Sequence, residues 1–203
     1  SRVENGKLSG IMGDVLALLA ERTGLDFRVV ERRNWQEYST ALGKGDCELL
    51  LDCRYDYAWA EQMGFYLTPP YLSASVSRLT CKTFSETPRS IAVLSGSDVI
   101  ANLRKKNTAE VAVVPYHTVD EVVAAVKNGW QDAAYLYTAV AEEALGGDSG
   151  NGLAANIMPG YLSQFAIGIE NRADPLLVSI ITKAVRSLSQ EDIEQIILKY
   201  SVR

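Results

Sequence analysis

NWQEYSTALGKGDCELLLD at residues 34–52 and TVDEVVAAVKNGWQDAAYLY at residues 118–137 share one pattern, and that pattern points to the fold class. Each copy opens on a good helix N-cap, Asn34 or Thr118, with a glutamate three residues on, Glu37 or Glu121, the spacing of a capping box. An amphipathic helix follows, with Trp35, Tyr38 and Leu42 on one face of the first copy and Val119, Val122, Val123 and Val126 on one face of the second. Each helix stops at a glycine, Gly45 or Gly129, and after two unmatched residues Glu48 or Asp132 leads a short apolar strand. A helix, glycine, acid and strand unit that recurs in the two halves of a chain predicts two similar α/β lobes. Two lobes make a cleft, and clefts bind small molecules.

The remaining elements are read outward from these two units. A helix is expected over Gly10–Thr23, closed by Gly24, and a strand over Asp26–Arg32. A helical turn at Tyr57–Gln62 precedes Phe65–Tyr71, which Pro69 and Pro70 confine to a strand end or an edge. An alternating strand runs from Leu72 to Cys81, with a strand at Ile91–Leu94, a helix at Asp98–Asn107 and a strand at Val111–Val114. A helix at Thr138–Leu145 and a glycine-rich loop at Gly146–Gly152 follow. After Pro159-Gly160 a strand spans Phe165–Ile169, then two helices close the chain, one capped by Asp174 with Pro175 at its first position, the other by Ser189 with Asp192 at its third.

Composition narrows the function classes. A chain of 203 residues that is 47% hydrophobic can bury about 70% of its unfolded surface without disulfides or metals. A net charge of −5 leaves no basic stripe for phosphates, so no nucleic-acid partner is expected. No apolar stretch approaches the roughly 20 residues of a membrane span, and no leader precedes Val3. Cys47, Cys53 and Cys81 are odd in number and lack metal-ligand spacing, so neither a zinc site nor a disulfide framework is expected, and the compartment is left open. His117 is the single histidine, ending a strand beside Thr118, which removes histidine triads and multi-histidine metal sites as default mechanisms. Catalytic residues, a metal and a cofactor are accordingly not expected.

Four segments carry a resemblance. GKLSGIMGDVLALLAERTGLDFRVV resembles the opening of bacterial solute-binding proteins of the type II periplasmic family, family 3-like. FYLTPPYL resembles that family's Phe-Ser/Thr-x-Pro-Tyr segment, IAVLSGS its second-lobe strand and turn, and KNGWQDAAYLY its Gly-x-x-Asp-Ala strand. The resemblance spans almost the whole chain. It implies a two-lobe Venus flytrap fold, with lobe 1 at 1–76 and 163–203 and lobe 2 at 77–162, and hinge crossings near Ser75–Cys81 and Pro159–Ser163. Family members begin with a short apolar strand inside the first sheet, and no such strand precedes the Asn-Gly-Lys turn at Asn5–Lys7 here. An unfilled slot there would leave backbone groups unpaired, so either the chain is trimmed or another segment fills it.

Two further departures concern ligand. The family arginine that grips an α-carboxylate falls on Glu61, and the aspartate that holds an α-amino group falls on Tyr137. Binding of an ordinary amino acid in the usual way is therefore not expected. RYDYAWAE at 54–61 alternates aromatics and acids. Either Tyr57 and Trp59 pack a turn while Asp56 and Glu61 are solvated, or Tyr55, Trp59 and Glu61 face the cleft and favour a cationic or ring-bearing ligand. Ser95-Gly96-Ser97 either presents backbone N–H groups to an anionic end or is only a helix cap. The candidate ligand contacts are Asp52, Arg54, Tyr55, Trp59, Glu61, Tyr71, Ser95, Ser97 and Tyr137.

The reading that follows is a non-catalytic extracytoplasmic binding module in the periplasm or at the cell surface. RYDYAWAEQMGFYLTPPYL resembles sensor domains of bacterial histidine kinases and diguanylate cyclases, and a membrane segment is expected to follow Arg203. The alternative is the solute receptor of an ABC importer, working with a permease. A cyclohexadienyl dehydratase-like enzyme ranks last, because Glu61 supplies an acid without a motif-level arginine to hold a dianionic substrate.

Overall fold

In the computed structural model the described residues are 2–4, 6–31, 37, 40, 41, 44–100, 103, 111–146 and 152–201. The chain divides into two compact units, Ser1–Ser73 with Gln164–Arg203, and Ala74–Ser163.

The first unit begins with a small hairpin, β1 (Arg2–Glu4) and β2 (Lys7–Ser9), turning on Gly6 at φ 73°. Helix α1 (Ile11–Thr23) ends on Gly24 in the left-handed conformation, as the Thr-Gly sequence predicts. Its buried face, Val15 and Leu19, packs against Ile181, Ala184 and Val185 of α5 (Pro175–Arg186) and Ile196 of α6 (Gln190–Ser201). Both closing helices carry the expected caps. Asp174 accepts from the Leu176 N–H at 2.8 Å, while Ser189 and Asp192 exchange two bonds of 3.1 and 2.7 Å. Strand β3 (Leu49–Arg54) and the short β4 (Phe65–Leu67) flank the C-terminal part of β9 (Leu153–Glu170), both antiparallel to it. Helix α2 (Tyr57–Met63) lies between β3 and β4, capped by Asp56 and closed by Gly64.

Residues 26–31 carry no strand, contrary to expectation. Phe27, Val29 and Val30 are half-buried, so apolar patterning is present, but an extended segment becomes a strand only with a ladder partner. Among the described residues β3 pairs with β9 and not with this segment. Arg28, Val29, Val30, Glu31 and Asp46 instead line a cavity of about 350 Å³.

In the second unit the strand order is β9, β5 (Leu72–Cys81), β8 (Ala133–Tyr137), β6 (Ser90–Leu94) and β7 (Ala112–Tyr116). β5 and β8 are antiparallel, while β6 is parallel to both β7 and β8. Helix α3 (Val119–Lys127) carries the full capping box between Thr118 and Glu121, and buries Val122, Val123, Ala125 and Val126 on Leu79, Ala92, Ala134 and Leu136. Helix α4 (Thr138–Leu145) adds Ala141 to that core. On the other sheet face Val76, Ile91, Val93 and Tyr135 pack with Val99 and Leu103. His117 is exposed and its backbone N–H bonds Glu121, a structural position.

Two expectations change here. The strand expected to start at Phe165 starts at Leu153 and runs through Pro159-Gly160. In this unit β9 is the end strand of the order, where a proline without an N–H costs little, and Gly160 at φ 76° accommodates the bend. β7 extends to Tyr116 despite Pro115 for the same reason, lying at the other end of the order. Most of the helix of the first repeated unit, all of the Asp98–Asn107 helix but Asp98, Val99, Ile100 and Leu103, and most of the Gly146–Gly152 loop lie outside the described residues, though Glu37, Thr40, Ala41 and Lys44 are helical and Gly45 has φ 75°. β5 and β9 each contribute residues to both units.

Candidate functional site

The first group of candidates is built where β3 ends. Cys53 is fully buried between β3 and Gly168 of β9, and burial pushes its thiol up to about 12. The thiol is therefore a packing group and not a nucleophile. Its neighbours are less buried, Asp52 exposed and Arg54 half-buried, where the β3–β9 register shifts between Leu50 and Cys53. The backbone of Tyr55 is fixed by donation to the Gln164 carbonyl at 2.9 Å.

Helix α2 then brings Trp59 back over Arg54, with the guanidinium carbon 5.6 Å from the ring centroid. Trp59 also lies parallel to Phe65, their centroids 6.1 Å apart at 10°. Trp59 thus packs the turn and carries the chain's own Arg54 on its ring. Tyr55 and Tyr57 share a hydroxyl hydrogen bond of 2.9 Å, and Tyr57 is 66% exposed. That bond, with Tyr57 as the main cause, holds the Tyr55 pKa above its usual value. Asp56 is not simply solvated, because it accepts the Trp59 N–H at 3.1 Å and lies 3.6 Å from an Arg54 nitrogen. Glu61 is exposed on α2. Tyr71 is buried, its hydroxyl donating to the Leu51 carbonyl at 2.6 Å, and burial raises its pKa. In this structure Tyr71 packs the core.

The second group lies in the other unit, at the ends of β6 and β8. The Ser95 N–H donates to the Tyr116 carbonyl at 2.8 Å and the Ser97 N–H to the Leu94 carbonyl at 3.1 Å, so these two groups are not free for an anion. The Ser97 hydroxyl accepts from the Val99 N–H at 3.3 Å, a helix-capping contact. Tyr137 is half-buried, and its hydroxyl donates to the Asp98 carboxylate. Burial first, then that carboxylate, hold the phenol well above its ordinary range, while the hydroxyls of Ser97 and Ser163 act the other way. Tyr137 therefore stays a neutral donor at any physiological pH.

Sequence reading placed Ser97 and Tyr137 here and missed Asp98 and Ser163, which complete the network. A single aspartate after a Ser-Gly-Ser turn reads as a helix start, and only the packing of β8 beside β6 shows it meeting Tyr137. Also missed is a hydroxyl chain in which Thr138 bonds Ser75 at 2.8 Å and Ser77 at 3.0 Å. Among the described residues no group of histidine, cysteine, aspartate or glutamate is arranged to hold a metal ion.

No protein-family model and no curated protein sequence matches the chain. Solved structures do. The periplasmic VFT2 domain of BvgS from Bordetella pertussis superposes with a TM-score of 0.79 at 23% identity, covering 95% of this chain and 83% of that one. The GluR0 ligand-binding core from Nostoc punctiforme, in complex with L-glutamate, gives 0.74 at 17% identity over 98% and 96% of the two chains. The substrate-binding protein of an amino-acid ABC transporter gives 0.74 at 15% identity over 100% and 92%. The fold is that of the type II periplasmic binding proteins, the Venus flytrap.

Proposed function

We propose that the chain is a non-catalytic, extracytoplasmic small-molecule-binding domain that serves as the sensor of a membrane signalling receptor, such as a histidine kinase or a diguanylate cyclase. The observation that carries this reading is the likeness to the periplasmic VFT2 domain of BvgS over 95% of this chain and 83% of that one. Its proposed ligand contacts are Arg54, Tyr55, Trp59, Glu61, Ser95, Ser97 and Tyr137. Their chemistry suits binding better than turnover. Cys53 is inert, Tyr71 and Tyr137 are locked as neutral phenols, and the hydroxyls of Ser75 and Thr138 bond each other.

Service to an ABC importer is the second reading, favoured by the likeness to an amino-acid transporter's binding protein. The gene around the chain separates the two. A membrane span and signalling module after residue 203 support sensing, whereas a lipid-attachment cysteine ahead of the domain and a neighbouring permease support transport. The site assignment is tested with a bound small molecule in calorimetry. Trp59→Ala and Tyr137→Ala should each weaken it at least about tenfold, the loss expected of a central aromatic contact. Unchanged affinity in both variants, with both folded, removes these residues from the site.

A further inference from the structure

We infer that Arg54 is the ligand's anchor and that the group it takes is a carboxylate on a planar, apolar body. This rests on the binding role proposed above and names the ligand class for it.

The guanidinium is held but not satisfied. Its Nε is buried without a hydrogen-bond partner. Its nearest acid, Asp56, is 3.6 Å away, longer than a hydrogen bond, and the second oxygen of that carboxylate accepts the Trp59 N–H that starts α2. Asp56 therefore compensates the charge in part without occupying the donor edges. Buried polar groups left in this condition are uncommon in folded proteins and call for a partner.

Trp59 decides the sign of the ligand's charge. An aromatic wall read from sequence alone favours a cationic ligand, but here the ring already carries the protein's own cation at 5.6 Å. A ligand ammonium would have to displace Arg54 and would meet its charge at close range. A guanidinium seated on an aromatic face keeps its N–H edges for hydrogen bonding, and their fork matches a carboxylate in two parallel bonds. Phe65, parallel to Trp59, backs the ring and limits its freedom to swing.

Two tyrosines add a donor and an apolar surface. Tyr55 and Tyr57 have two hydroxyl protons and spend one on the bond between them, so the pair retains one O–H to donate. Their rings, 5.3 Å apart, are tilted and partly open to solvent, a surface on which a flat ligand can lie.

The test is calorimetry of the chain against benzoate, phenylacetate, cinnamate and succinate, each beside its amide and the matching amine. Aromatic monocarboxylates should bind about tenfold or more tighter than their amides and amines. Arg54→Gln should erase that preference, bringing the acids down to the affinity of their amides. Arg54→Lys should restore only part of it, because an ammonium is a point donor without the fork. The inference is overturned if the acid preference survives Arg54→Gln, or if amines or succinate bind best. Binding of amides or amines without acids defeats the Arg54 assignment and leaves the binding role standing. If no member of the panel binds, the inference is overturned while the binding role stands.

Discussion

Asp132 and Glu48 hold equivalent places in the repeated unit and do different work. Asp132 accepts the backbone N–H groups of Arg89 and Ser90 at 2.8 and 3.1 Å, pinning the start of β8 to the start of β6. The Glu48 side chain is exposed, and what holds its position is its backbone carbonyl, which accepts from the Glu170 N–H at 2.8 Å. The acid in the pattern is thus a structural pin in one copy and a solvated residue in the other. Gly13 is a sharper case of one residue limiting local packing. It is buried on α1, and a Cβ there would lie 2.2 Å from the Leu8 carbonyl oxygen of β2. That neighbour is backbone and cannot rotate away. Gly13→Ala should therefore destabilise the chain by about 1–3 kcal/mol, measured by urea titration. Tyr71 shows where residue-level reading stops. Its place after Pro69-Pro70 singled it out, but only the packing shows that its hydroxyl turns inward to Leu51.

At the scale of elements, the parts specified by local chemistry were legible. Thr118 with Glu121, Asp174 with Pro175, and Ser189 with Asp192 each name a helix start in four residues, and each cap forms. What was not legible depends on neighbours distant in sequence. Residues 26–31 have strand-like patterning without a ladder, and Pro159-Gly160 sits inside a strand because that part of β9 ends the sheet order. The caps also set an acid limit on stability. In the folded chain the Ser189 N–H, and after it the Arg22 guanidinium, hold the Asp192 carboxyl below its usual range, and the N–H groups of His117 and Thr118 do the same for Glu121. A carboxylate whose folded pKa is depressed contributes stability that is present at neutral pH and lost as pH falls from about 5 through the folded pKa. Urea midpoints should drop over that window, and Asp192→Asn should lower the midpoint at pH 7 and flatten the drop. A midpoint in Asp192→Asn that falls with acid as steeply as in the unmodified chain contradicts this assignment.

For the whole molecule, the repeated unit and the four family-like segments made the two-lobe α/β class readable, because a lobe is specified by patterning that survives deep sequence divergence. The ligand was much less readable. Charge reversal at Glu61 and the aromatics of 54–61 suggested a cationic or ring-bearing partner, and the proposal of an anionic one rests on the contact of Arg54 with Trp59, a relation that requires the turn of α2 to be known. Among the candidates the hydroxyls of Ser97 and Tyr137 are bonded into a cap and a network, and the Cys53 thiol is buried. The most direct measurement is a thermal-shift screen of the chain against aromatic and aliphatic acids, amides, amines, amino acids and short peptides, with each stabilising compound recovered and identified by mass spectrometry. A compound present at a hundredfold excess over its Kd should stabilise the fold by about 2.7 kcal/mol and be recovered intact. A screen in which nothing stabilises the chain, or one in which the stabilising compound is consumed, would contradict a non-catalytic binding domain.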